Sequence, residues 1–161
     1  MVQKTGMLVA ALLLAGCGGG TDEAASPPGP PPVTAATLGE QEILATAEYL
    51  AQERFATADL EYGERLGMQC RACHTLEKGG AHMLGPALHG FFGRQAGVIE
   101  GYAFSPALAN SEFRWTPDAL DAWLAQPAVF LPGNRMAYAG LRKEDDRRAV
   151  IAWLLQATAD E

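Results

Sequence analysis

The chain has 161 residues and carries 19 acidic against 12 basic side chains, a net charge of −7. The acid excess lies outside the main body, because residues 60–157 hold ten acidic and ten basic side chains. The low pI therefore describes the leading segment and the terminus, and no basic surface of the kind that binds nucleic acid is present.

Residues 1–17 have the pattern of a secretory signal, with Lys4 as the charged start and Met7 to Ala15 as a short apolar run. That run is too short to span a bilayer. It ends in Leu14-Ala15-Gly16-Cys17, which resembles the lipobox of bacterial lipoproteins, where the cysteine is lipidated and becomes the first residue. The expectation is an exported protein, anchored by lipid at Cys17 on the periplasmic or extracytoplasmic face of a membrane. An ordinary signal peptide cleaved nearby would instead leave Cys17 as an odd thiol.

Residues 18–39 form a Gly/Pro-rich tether, from Gly18-Gly19-Gly20 to Pro30-Pro31-Pro32, whose composition cannot build a core. At about 3 Å per extended residue, about 20 residues reach several tens of ångströms from the lipid. Over 40–58 the spacing of Ile43, Ala47, Leu50, Ala51, Phe55 and Ala58 predicts an extra helix or a partly ordered linker. The compact domain follows over 59–158.

Within it, Cys70-Arg71-Ala72-Cys73-His74 reads C-x-x-C-H, the spacing for covalent c-type haem. Both thiols add to the porphyrin vinyl groups, and His74 then faces the iron. A zinc site would need a fourth ligand, which the cysteine count does not supply. A thioredoxin-like pair would need a βαβ setting, which is absent. One haem c per chain is the expectation, and a small core gains apolar surface from the macrocycle.

Met136 is the candidate sixth ligand. It lies 62 residues beyond His74, in a loop without helical period that begins Leu131-Pro132-Gly133. A thioether is soft and neutral, favours ferrous iron and suits an electron carrier. His82, His89 and Lys143 are weaker competitors, and Met68 and Met83 read as packing residues. Thr116-Pro117 predicts a helix start, with Leu120, Trp123 and Leu124 buried and Pro127 ending the helix. Glu144-Asp145-Asp146 predicts the first turn of a last helix, with Val150, Ile151, Trp153 and Leu154 on its apolar side.

Cys70 to Thr158 resembles mitochondrial-type class I cytochrome c through several separated pieces. These include Cys70–Gly80, Gly85-Pro86, Leu88–Arg94, Gly101-Tyr102, Trp115, Leu131-Pro132-Gly133, Met136 and Ile151–Leu154. The resemblance implies an all-α fold wrapped round one covalent haem, with the last helix crossing the one before Cys70 and Trp153 near Leu66. It implies that the Pro86 carbonyl accepts from His74, that Asn134 sits beside Met136, and that Arg94, Tyr102, Trp115 and Ser105 surround the propionates. Tyr138 matches an aromatic beside the exposed haem edge.

Departures from the family pattern are Phe104 and Leu108 for polar groups near the haem and Trp123 for a tyrosine near the methionine sulfur. Gly63 lies one residue nearer the haem cysteines than usual. Met83, Ala128 and Val129 replace three docking lysines.

The implied function is a monohaem electron carrier and not an enzyme. It would act as a monomer between membrane redox complexes of the quinol–cytochrome c reductase, terminal oxidase or photosynthetic reaction centre type. A peroxidase-like enzyme or gas sensor would need an open iron position, and a fixed haem subunit of a larger oxidoreductase is a further alternative.

Overall fold

The computed structural model describes Met1 and residues 31–159. The signal segment, Cys17 and most of the tether lie outside the described residues. Among those described, seven α-helices, one short 3₁₀ helix and one isolated bridge, Gln95 to Arg114, make up the regular structure. The fold is all-α, as the sequence implies.

The segment ahead of the domain differs from its predicted form. Instead of one helix over 40–58 there are two short ones, α1 (Thr46–Ala51) and α2 (Glu53–Ala56), separated by Gln52 in an extended conformation. The buried side chains are Tyr49 and Phe55, while Ile43 is exposed. The break has a packing cause: six residues apart, Tyr49 and Phe55 would leave a continuous helix about 120° apart, and the break lets both rings enter the core. After a short 3₁₀ helix (Ala35–Thr37), the residues before α1 run as a strap stitched by Tyr49. Its hydroxyl donates to the Glu42 carbonyl (2.9 Å) and accepts from the Leu44 N–H (3.1 Å). Ala35 and Leu38 already pack against the core, so the chain meets the domain well before residue 40.

The domain opens with α3 (Leu60–Arg71), whose N-cap Asp59 accepts from the Tyr62 N–H. After a long irregular stretch come α4 (Pro106–Ala109), α5 (Pro117–Ala125), α6 (Pro127–Phe130) and α7 (Glu144–Ala157). The predicted start of α5 holds: Thr116 Oγ1 accepts from the Ala119 N–H (3.2 Å) and Pro117 occupies the first turn. Pro127 cannot continue α5 and begins α6. Three carboxylates occupy the first turn of α7, where they complement the helix dipole. Val150, Ile151, Trp153 and Leu154 are all buried.

Helix α3 crosses α7 through two glycines one turn apart. A Cβ on Gly63 would sit 2.1 Å from the Ala149 carbonyl oxygen, and one on Gly67 would sit 2.1 Å from the Trp153 ring. The shifted Gly63 thus works with Gly67, and Trp153 lies over the second glycine. Because the obstacles are backbone and a buried indole, neither can move aside. Gly67→Ala should destabilise the fold by about 3 kcal/mol, at the upper end of overpacking costs. Denaturant unfolding measures it, and a change under 1 kcal/mol would show the crossing to be looser than its contacts.

Candidate haem site

Cys70 lies in the last turn of α3, and the chain turns at once, the Cys73 and His74 amides both donating to the Cys70 carbonyl (3.1 and 2.9 Å). This turn brings the two thiols and the imidazole to one end of the helix. Both cysteines are free thiols, partly buried. Burial pushes the Cys70 thiol above its ordinary pKa, which keeps it protonated at neutral pH.

A second loop is laid against this turn by main-chain bonds. Gly85 N–H donates to the Cys73 carbonyl (2.8 Å), and Leu88 N–H to the Thr75 carbonyl (2.8 Å). That pairing carries Pro86 to His74, whose Nδ1–H donates to the Pro86 carbonyl at 2.7 Å. With the proton fixed on Nδ1, the lone pair of Nε2 is left for a metal. Burial lowers the His74 pKa, and the Pro86 carbonyl only partly opposes it. The ring is therefore neutral at neutral pH, the form a metal requires.

Gly85 completes the cradle. A Cβ there would lie 2.2 Å from His74 Cε1, so only glycine lets the loop approach the ring this closely.

Met136 lies in a loop between α6 and α7, held by Asn134. The Asn134 amide donates to the carbonyls of Pro127 and Leu131 (2.8 Å each), and its Oδ1 accepts from the Met136 N–H (3.0 Å). The expected place of Asn134 beside Met136 is thus filled by a staple using both ends of the amide. The far end of the loop is fixed as well. Leu141 N–H donates to the Leu124 carbonyl (2.7 Å), and Arg147 binds Asp121 while donating to the Leu141 and Arg142 carbonyls.

Sequence reasoning missed the partner of the sulfur. Trp123 Nε1–H donates to Met136 Sδ at 3.3 Å. The indole in place of the family's tyrosine keeps a donor at the sulfur, so this departure does not remove a polar group there. Tyr138, two residues past Met136, has its pKa raised by burial and, secondly, by Cys70.

The expected propionate group is spread over three contacts. Arg94 and Trp115 are adjacent through main-chain bonds, with Trp115 N–H to the Arg94 carbonyl at 2.9 Å. The exposed Arg94 guanidinium makes no hydrogen bond or ion pair with another described residue. Tyr102 instead donates its hydroxyl to the Leu84 carbonyl (2.7 Å), and Ser105 Oγ caps α4 by accepting from the Leu108 N–H.

Of the competing ligands, His82 is engaged at both nitrogens, by the Ala87 N–H and the Glu100 carbonyl. Met68 and Met83 are exposed and not part of the core, contrary to their reading as packing residues.

The residues fit a covalent haem: two thiols on one turn, a neutral imidazole with its metal-facing nitrogen released, and a glycine cradle. No family model matches the chain. Among individual proteins it is 40% identical over 104 residues to cytochrome c of Gibberella zeae, covering 64% of this chain and 98% of that protein. It is 43% identical over 102 residues to cytochrome c of Chlamydomonas reinhardtii, covering 63% of this chain and 91% of the relative. Cytochrome c of Ginkgo biloba is 39% identical over 104 residues, with 64% and 92% covered.

Proposed function

The chain belongs to the cytochrome c family, and on that footing we propose that it is a membrane-tethered carrier of single electrons between respiratory or photosynthetic complexes. As a member of that family it is a haem electron carrier with one covalently attached haem c. Bound haem supplies a one-electron ferric/ferrous couple.

The observation that carries the reading is the Met136 sulfur, presented by a stapled loop and already holding a hydrogen bond from Trp123. A carrier needs both axial positions filled by groups that stay put when the charge changes. His74 is held through Nδ1 by Pro86, and Met136 through its amide by Asn134. With His74 and Met136 both bound to the metal, no position would be left open for substrate chemistry.

The tether and the partners rest on the sequence. A lipid on Cys17 would keep the domain near exported membrane complexes, where a high local concentration lessens the need for charge steering. Several surface features support weak steering. Met83, Ala128 and Val129, which stand in place of docking lysines of the family pattern, are exposed, Arg71 is paired with Glu77 (2.6 Å), and Arg135 is bound to the Ala103 carbonyl.

Cell fractionation with a redox assay tests this function. The protein should sediment with membranes, leave them in detergent but not in high salt, and be reduced by quinol and reoxidised by oxygen there. Cys17→Ser should become soluble or remain unprocessed. Wild-type protein recovered wholly in the soluble fraction, starting after residue 17, would falsify the anchor. A membrane-bound protein that never changes oxidation state would remove the carrier role.

A further inference from the structure

Gln41 lies before the expected domain boundary, yet it is hydrogen-bonded into the haem domain. The segment Phe113–Thr116 presents its main-chain groups alternately to two sides. Trp115 faces one of them: its N–H donates to the Arg94 carbonyl and its carbonyl accepts from the Gly93 N–H, both at 2.9 Å. Arg114 faces the other, where a third strand would lie in a sheet.

Gln41 takes that place with its side chain. Its Nε2 donates to the Arg114 carbonyl (2.7 Å), and its Oε1 accepts from the Arg114 N–H (2.8 Å). Nε2 also reaches Thr116 Oγ1 at 3.1 Å. A carboxamide carries the same donor and acceptor as a peptide group, so one side chain substitutes for a strand edge. The buried Tyr49 fixes the strap from which it reaches, and α2, which follows, is tied to α5 by the Arg54–Asp118 ion pair.

The clamped residue leads to the candidate iron ligand. Trp115 stacks edge-to-face on Trp123, centroids 5.3 Å apart and planes at 85°. Trp123 in turn donates to Met136 Sδ. Rings packed at interior density have few alternative positions, so a shift of the Trp115 main chain is passed on to the indole that holds the sulfur.

We propose that Gln41 is a positioning residue for the Met136 sulfur, acting through the main chain of Arg114–Thr116 and the rings of Trp115 and Trp123. The proposal rests on Met136 as an iron ligand.

The test uses the full-length holoprotein as wild type, Gln41→Ala, Gln41→Glu, Trp123→Phe and the double variant Gln41→Ala/Trp123→Phe. Three quantities are read: the far-red sulfur-to-iron band, the midpoint potential and amide hydrogen exchange at Arg114. Gln41→Ala should speed exchange at Arg114 about tenfold, the effect of one net hydrogen bond, and should alter both band and potential. Gln41→Glu keeps the acceptor and loses the donor, so it should fall between wild type and alanine. In the Trp123→Phe background, adding Gln41→Ala should change band and potential no further.

A Gln41→Ala protein with wild-type band and potential overturns the proposal, even if its unfolding midpoint falls. Full additivity of the two substitutions overturns it as well, since the route would then bypass Trp123. If the wild-type protein lacks the band, the Met136 reading fails and this proposal fails with it. A wild-type band left untouched by Gln41→Ala removes this proposal alone.

Discussion

Haem should stay with the polypeptide through acid-acetone extraction, and the double variant Cys70→Ser/Cys73→Ser should accumulate as colourless, largely unfolded chain. The two thiols sit on one turn at the end of α3, partly buried and without a disulfide. Acid protonates His74 and breaks its bond to the metal, so only thioethers can retain the macrocycle under those conditions. The unfolding follows from size. A domain of about 100 residues has little apolar area in reserve, and groups such as Leu88, Phe92, Trp115 and Met136 are only partly buried against its core, leaving apolar faces that a macrocycle would cover. Losing the macrocycle leaves those faces without their main apolar neighbour, at a cost exceeding the ~5–15 kcal/mol of a typical domain's stability. Haem-stained gels and far-ultraviolet circular dichroism read both effects. Each single cysteine variant should keep one thioether and a reduced yield. Haem that extracts freely from the wild-type protein would remove covalent attachment.

The parts that depend on local chemistry were readable from the residues. Thr116-Pro117 at the start of α5, the stop at Pro127 and the acidic first turn of α7 are each specified within a few positions. The His74–Pro86 bond was reachable by resemblance, because the residues of that loop are retained. Features set by distant packing were not readable. The break at Gln52 has no signal in its own sequence; it follows from Tyr49 and Phe55 both seeking the core. Trp123 reads as an apolar helix residue, and its N–H finds the sulfur only because the loop after α6 folds back over α5. Met68 and Met83 look like core residues by type, yet type does not fix burial on an irregular loop or on the outer side of a helix. The strap was invisible for the same reason. Gln41 is an ordinary polar residue until Arg114, far along the chain, is brought beside it.

Met136→Ala should lose the far-red sulfur-to-iron band, bind carbon monoxide when reduced, gain some peroxidase activity and fall in potential by on the order of 0.1–0.3 V, within the ~0.8 V span commanded by axial ligation. Alanine cannot reach a metal, so the thioether preference for ferrous iron disappears and the position opens to outside ligands. The fold should survive. Asn134 binds the residue 136 N–H and the Pro127 and Leu131 carbonyls through groups the substitution leaves in place. The indole of Trp123 would lose its acceptor, a cost of about 1 kcal/mol, and could then donate to water entering the position. The same measurements separate the carrier from the enzyme and the sensor, which need that position open. Rapid carbon monoxide binding by the reduced wild-type protein at neutral pH would mean that Met136 does not close the site, and would favour an enzyme or a sensor over a carrier.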